Sequence, residues 1–402
     1  QFGYYPLMHL LIAGVCGAFL TGDIFNLYVW FEVMVIASFG LITLGGEREQ
    51  VDGAVKYVLL NLIATTVLLI SIGLLYGITG TLNMADLGRV VPENPNQGLL
   101  TVVAVMFLLA FAMKAAVFPL YFWLPASYHT PAAAVSAVFA ALLTKVGVYA
   151  LIRVFTLVFE DMQGPVFAVV LVAGILTMVV GVLGAIAQTD LRRVLCFVLV
   201  SGIGYMLIGL GLGTAQGLAG ALVYTVHSIV VMSAIFMAAG VVQRIAGAAG
   251  LNDLGGLYLK QPLIAVLFFL VAMSLAGVPP LSGFWSKVVL VKASLDADAY
   301  VVAAAALVTG LLTLYAMAKV WALAFWRARP EDGAVLAAPG VIEAGAMSPS
   351  ERRLTLLPVA VLTLLSIAIG LYAQPLLAVA ERAADELIRN EAYITTVLGE
   401  GA

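Results

Sequence analysis

Six ionisable side chains lie inside long apolar runs, where a charge is costly: Glu32 in FNLYVWFEVMVIASF, Lys114 in FLLAFAMKAAVFPLYFWLP, Lys145 in FAALLTKVGVYALI, His227 in GALVYTVHSIVVMSAIF, Lys287 in LAGVPPLSGFWSK and Lys319 in LLTLYAMAKVWALAFW. A charged side chain at mid-bilayer costs roughly 2.5 to 3.5 kcal/mol on insertion scales, so each residue needs a partner, a wet cavity or a function. The chemistry these types suit is proton transfer. Lysine changes protonation in response to its surroundings whereas arginine stays charged, and histidine titrates within the physiological range. A carboxylate about 5 Å from an amine returns roughly 3 kcal/mol at an effective dielectric near 20. Glu32 moving toward or away from Lys114 would therefore load or unload that lysine, and the two are expected to pair. Each residue also has a structural alternative: snorkelling to the interface for Lys114 and Lys319, an interhelical contact for Lys145, a backbone carbonyl for His227. Sodium asks for clustered oxygen ligands, and Glu32 is the deeply placed carboxylate here. The visible axis is thus a proton path, with a cation site expected elsewhere, although backbone carbonyls at helix breaks remain an alternative.

The elements that must position these residues follow from composition. Hydrophobic residues make up 63% of the 402 and charged residues 10%, against roughly 25% charged in soluble domains. Eleven apolar segments, at about 4–22, 24–44, 51–78, 99–118, 131–158, 165–187, 191–213, 218–242, 262–295, 299–326 and 354–378, are each about long enough to cross a bilayer as helix. The absence of strict alternation over ten-residue stretches favours helices over a barrel, and predicts an all-α polytopic membrane protein. Residues 327–353 mix Pro, Gly and charge and read as an extramembrane loop. Residues 354–402 hold the final membrane helix and a tail, polar enough after 379 to lie outside or along the interface. With no initiating Met and no basic leader, the first run reads as a membrane helix of a chain whose beginning is missing.

The net charge of -3 with scattered basic residues argues against nucleic acid as a partner. Cys16 and Cys196 have no metal or redox spacing. No Walker loop, dinucleotide fingerprint or metal cluster is present, so neither a cofactor nor an ATP-driven pump is expected.

Ten Lys and Arg flank the spans on the side of residue 1 and five on the other, which places the amino end in the cytoplasm and the carboxyl end outside. The fourth span is interrupted at Pro119 and Pro125 beside Lys114, and the ninth at Pro279 and Pro280 beside Lys287. These breaks are five spans apart, and an odd offset inverts the second relative to the membrane. Residues 4–158, with Glu32, Lys114 and Lys145, and residues 165–326, with His227, Lys287 and Lys319, are therefore expected to be inverted five-helix repeats. Such paired interruptions mark transport sites in secondary transporters.

The ordered set TGDIFNLYVWFEVMVIASFGLITLGG, FAMKAAVFPLYFWLPASYHTPAAAVSA, LLTKVGVYALIR, QTDLRRVLCFVLVSGIGYM and SLAGVPPLSGFWSK resembles the proton-translocating membrane-subunit family shared by respiratory complex I and the Mrp cation/proton antiporters. It is most similar to the Mrp antiporter branch, and the likeness spans nearly all eleven segments. The resemblance implies a fourteen-helix antiporter-like fold whose first three helices are absent here. It implies that Glu32 and Lys114 form the Glu and Lys pair of a first half-channel, that Lys145 and His227 continue the relay, and that Lys287 serves the second. His129 in SYHTPAA departs from the family pattern and is a candidate for proton entry. The long lateral helix of the largest complex I relative is missing, which favours an Mrp subunit or a medium-sized relative.

The function expected is proton translocation within a multisubunit Na+/H+ antiporter of a prokaryotic plasma membrane, alongside other membrane subunits and with no enzyme activity of its own. The alternatives are a proton-pumping subunit of a redox-driven complex and a scaffold whose buried charges only join helices.

Overall fold

A computed structural model describes residues 3–160, 163–328 and 349–399; most of the loop expected at 327–353 lies outside the described residues. The described chain is helical, with two isolated bridges and no strand. The first half runs α1 Tyr4–Leu20, α2 Ile24–Thr43, α3 Arg48–Thr79, α4 Met84–Glu93, α5 Gln97–Ala115, α6 Trp123–Ser127, α7 Ala133–Val138 and α8 Thr144–Leu157. The second runs α9 Gln163–Ala187, α10 Leu191–Gly211, α11 Ala215–Ala246, α12 Leu257–Lys260, α13 Pro262–Ala276, α14 Ser282–Asp296 and α15 Tyr300–Trp321. The last three helices are α16 Pro349–Leu371, α17 Gln374–Ile388 and α18 Glu391–Leu398. A π-helical turn, Phe139–Leu143, joins α7 to α8, and another, Ala322–Trp326, extends α15. Among the described residues nine helices are long and apolar enough to cross a membrane, and the shorter apolar α1 and α13 complete the eleven segments. The chain is a multi-pass membrane protein.

Local signals set the turns. Asp23 caps α2 through the Asn26 amide and Asp190 caps α10 through the Arg193 amide, each satisfying an amide that the first helical turn leaves unpaired. Each capping residue also bridges to a later turn, Asp23 with Asn83 and Asp190 with Gly250. The same device therefore ties the first and third helical hairpin ends of each half.

The burial gradient shows which helices can hold charge. Of the apolar window, 94% is buried in Leu191–Gly211 and 83% in Ala133–Leu157, against 28% in Ser350–Leu371. α10 and the α7–α8 helix are therefore central and α16 is peripheral. Glycine permits the closest crossings: a Cβ on Gly147 would stand 2.8 Å from the Ala115 amide, so α8 lies directly on the end of α5.

The tail does more than the polar pattern after residue 379 conveys. α17 is amphipathic, buries Ala380 and Ala384, and packs along α11 and α8. Asn390, at the junction with α18, donates to the Thr156 carbonyl at 2.6 Å and so fastens the tail to the end of α8.

Candidate functional site

Both interrupted spans end their first half-helix in the same way. α5 terminates at Ala116 with φ 59°, and α13 at Gly277 with φ 89°. The Val117 amide reaches back to the Ala112 carbonyl at 3.0 Å and the Val278 amide to the Met273 carbonyl at 3.0 Å. This is the left-handed termination in which an amide five residues along closes the last turn. The prolines follow the stop and do not make it. Each break contains one cis peptide, Phe118–Pro119 and Pro279–Pro280.

Lys114 sits in the last turn of α5, where the helix dipole favours a cation. It is 5% exposed, and its amine lies 5.3 Å above the Phe31 ring with no hydrogen-bond partner. Beside it a cavity of about 20 Å³ is lined by Tyr57, Asn61, Trp123 and Tyr128 among others. That is room for one water, which needs about 10 to 15 Å³ and polar neighbours. The Tyr128 hydroxyl, also buried and unpartnered, supplies one such neighbour. Tyr57 is anchored to Ser38 at 2.6 Å. Glu32, half-buried on α2, is close enough for its charge to act on Lys114, but no ion pair joins them among the described residues. One carboxylate oxygen of Glu32 is itself buried without a partner. The expected contact is therefore a facing pair of charges, not a closed bridge.

Lys145 is wholly buried and donates to the Ala140 carbonyl. That carbonyl lies in the π-helical turn, whose wider winding offers its oxygen to a side chain five residues on. His227 on α11 is 1% exposed, and its Nδ1 is 2.8 Å from the Ser282 hydroxyl. Ser282, Ser274 and Ser366 form a triangle with sides of 2.8, 2.9 and 3.1 Å. Three hydroxyls have three protons, enough for a closed ring only when His227 donates from Nδ1. When Ser282 donates to the imidazole, one side of the ring opens. The tautomer of His227 is thereby coupled to serines on both sides of the second break and on α16. Its Nε2 is buried without a partner.

Lys287, five residues into α14, turns back to the break and donates to the Leu275 and Ala276 carbonyls at 2.9 and 2.8 Å. Its amine lies 5.1 Å from the Tyr205 ring centre; Tyr205 stacks on Tyr224 at 5.0 Å, and Tyr224 meets His227 edge-on at 5.5 Å. Lys145 and Lys287 both lie within electrostatic range of His227. The structure thus gathers two groups, Glu32 with Lys114 and Lys145 with His227 and Lys287, joined where α8 lies on α5.

Two candidates stand apart. Lys319 donates to the Ile186 and Gln188 carbonyls at 2.7 and 3.3 Å, so it covers the carboxyl end of α9. His129, in the loop before α7, is held from both ring nitrogens. Arg193 donates to Nε2 at 3.2 Å, which leaves the proton on Nδ1 for the Pro125 carbonyl at 2.8 Å. Burial and the Arg193 charge lower its pKa to about 4, with Arg192 adding to them and Asp190 and the Pro125 bond opposing. Proton entry at His129 would require Arg193 to move.

Sequence reading missed Ser274, Ser282, Ser366, Tyr57, Tyr128, Tyr205 and Tyr224. Serine gives little signal in a membrane helix, because its hydroxyl is usually satisfied by a carbonyl of its own helix. Ser71, bonded to Val67, does this here. A serine on each side of a predicted break was the one available hint.

The family model described as NADH:quinone oxidoreductase/Mrp antiporter, TM matches residues 21–313. The chain is 45% identical over 406 residues to the D subunit of the Na(+)/H(+) antiporter of Alkalihalophilus pseudofirmus, covering 100% of this chain and 79% of that protein. It is 39% identical to the protein of the same name from Bacillus subtilis, over 99% of this chain and 78% of that one. A chain in the structure of the Mrp complex from Dietzia sp. superposes with a TM-score of 0.88 at 36% identity, covering 98% of this chain and 79% of that chain. With the family model spanning more than half its length and two relatives above 30% identity over nearly all of it, this chain belongs to the NADH:quinone oxidoreductase/Mrp antiporter family of membrane subunits.

Proposed function

We infer that this chain is the D subunit of an Mrp-type Na+/H+ antiporter, carrying protons through the membrane interior in a complex with other membrane subunits. The observation that carries this reading is the set of buried amines and imidazole at the two helix breaks and the π-helical turn, where loosened backbone supplies polar partners in an apolar interior. Such groups sit inside membranes where a path needs them. Lys114, Lys145, His227 and Lys287 are the carriers in this reading and Glu32 sets the charge of Lys114. Lys319 and His129 hold helix ends in place, with proton entry at His129 as the variant in which Arg193 swings away.

The matched breaks and matched bridges support treating residues 4–158 and 165–326 as inverted repeats. The excess of basic residues beside the loop of His129 supports a cytoplasmic placement of that face and an outside placement of α17 and α18. The membrane potential, about 2.3 kcal/mol per charge per 100 mV, would supply the drive. A redox-driven pump subunit shares this family, but relatives named as antiporter subunits over nearly the full chain favour the antiporter.

Lys145→Ala is expected to lower sodium-dependent proton exchange in everted vesicles by at least about a hundredfold, the scale of a lost proton-transfer group, while the complex still purifies intact. Unchanged exchange would refute the reading.

A further inference from the structure

The two breaks align residue for residue: Ala116, Val117, Phe118, Pro119 and Leu120 in the first stand beside Gly277, Val278, Pro279, Pro280 and Leu281 in the second. In both, the left-handed terminator comes first and the amide of the following valine closes the last helical turn. They differ in the hydrogen-bonding capacity of the third position. Pro279 has no N–H, and the amides of the second break all bond within their own segment, Gly277 and Val278 to the end of α13 and Leu281 to the Val278 carbonyl. Phe118 does have one. The Ala116 and Val117 amides bond back into α5 and the Leu120 amide bonds the Val117 carbonyl, but the Phe118 amide leaves the segment and donates to the Thr177 hydroxyl of α9 at 3.0 Å. An amide only donates, so the hydroxyl accepts from it and commits its own proton to the Ala173 carbonyl at 2.6 Å. Thr177 is fully buried. Its helix packs chiefly on α10 and α15 of the second half, so this bond crosses from one half to the other. Side-chain packing does little to replace it, because an apolar cavity of about 210 Å³ opens between Val169, Val170 and Ala173 of α9 and the α5 end with its break.

We propose that Thr177 is a positioning residue for Lys114, a strut that fixes the first break to α9 and lets this helix of the second half set where the amine of the first half stands. Lys114 lies four residues before Phe118, and its amine has no hydrogen bond of its own. The course of the backbone therefore decides how far the amine lies from Glu32 and from the Phe31 ring. Lys287 needs no such strut, because it bonds two carbonyls beside its own break. A donor at Phe118 and none at Pro279 thus match the conditions of the two lysines. A displacement of α9 pulls on the Phe118 amide and alters the surroundings of Lys114 with no charged group passing between the halves. The assignment rests on the reading of Lys114 as a proton carrier.

The test measures the rate and pH profile of sodium-dependent proton exchange by the whole complex in everted vesicles. Thr177→Val keeps the shape of the side chain and removes the acceptor. It is expected to leave the amount of assembled complex unchanged, to lower antiport by about tenfold, the scale of a small misplacement of a reacting group, and to displace the pH profile. Thr177→Ser, which keeps the hydroxyl, is expected to restore both. Phe118→Pro removes the same bond from the donor side, in the sequence the second break already uses. The double variant is therefore expected to be no slower than the slower single one, since the two changes delete one shared interaction. Thr363→Val, at a buried threonine of α16 whose hydroxyl bonds the Val359 carbonyl of its own helix, is expected to change neither rate nor profile. A Thr177→Val complex of wild-type rate, one that is slow with an undisplaced profile, or one that does not assemble would overturn the positioning role. If Lys114→Ala is inactive while Thr177→Val is normal, the proposal alone falls; if Lys114→Ala is fully active, the carrier reading falls and the proposal with it.

Discussion

The two helix breaks use one backbone device and leave their lysines in opposite conditions. In the first, the Met113 carbonyl accepts both the Ala116 amide at 3.2 Å and the Trp123 indole at 3.1 Å, and Lys114 is left without a hydrogen-bond partner beside a one-water cavity. In the second, the freed carbonyls of Leu275 and Ala276 are taken by Lys287 itself. An amine bound to two carbonyls is satisfied where it stands, whereas an amine facing only an aromatic ring, a small cavity and a distant carboxylate responds to whatever moves near it. The first break is therefore a controlled position and the second a resting one. Position explains the asymmetry: Lys114 precedes its break and emerges from the end of α5, while Lys287 follows its break and reaches back across it.

The largest effect expected is from Lys114→Ala, which removes the proposed carrier at the first break and should lower antiport by about a hundredfold or more. Glu32→Gln should lower it less and alter its pH profile, because the amine survives without its electrostatic control. Equal loss and an unaltered profile in both variants would break the distinction between carrier and controller.

The sharpest test of the contrast is Trp123→Phe. It keeps the ring in its aromatic cluster with Tyr57 and Tyr128 but removes the indole donor from the Met113 carbonyl, which keeps the Ala116 amide. Losing one of that carbonyl's two hydrogen bonds costs about 0.5 to 1.5 kcal/mol, and the opened lone pair is then available to the Lys114 amine. The first break would then resemble the second, and antiport should fall with little loss of assembled complex. A variant of wild-type activity would show that the indole bond plays no part in keeping Lys114 free.

A smaller effect separates the two terminating residues. Ala116 holds a left-handed conformation that costs an L-residue roughly 1 to 2 kcal/mol, whereas Gly277 is adapted to it. Ala116→Gly is expected to stabilise by about 1 kcal/mol, partly offset by unfolded-chain entropy, and Gly277→Ala to destabilise by at least as much. A Cβ at 277 would also meet the Lys287 stem at 2.8 Å. Thermal unfolding of the purified complex reads both, and opposite signs are required.

The smallest expected effect lies outside the breaks, at His129. Its pKa in the fold, about 4, is below the ordinary histidine value of 6.5. The unfolded chain therefore takes up this proton first. The contribution is complete above about pH 6.5 and declines as pH falls toward about 4. His129→Asn should flatten that part of the pH dependence of the melting temperature, and a slope unchanged between the two proteins would rule His129 out as its source.

The sequence made the number of apolar segments, the two breaks and the interior Lys and His legible, because hydropathy, prolines and charges in an apolar run are local facts with large transfer energies. It also named the segment containing each stop, though not its cause, since a left-handed terminator at Ala116 leaves no mark when the residue is not glycine. The partner of each amine was a different matter. Lys319 and Lys145 look alike as lone lysines in apolar helices, and only the fold puts one at the end of α9 and the other over a π-helical turn. Ser282 and Ser366 are 84 positions apart and meet beside His227 because α16 packs on α14. Transfer energy is a property of a residue and can be read from its identity. A hydrogen-bond partner is a property of a place, and in this protein those places are made by carbonyls and hydroxyls that become available only when helices end, widen and pack together.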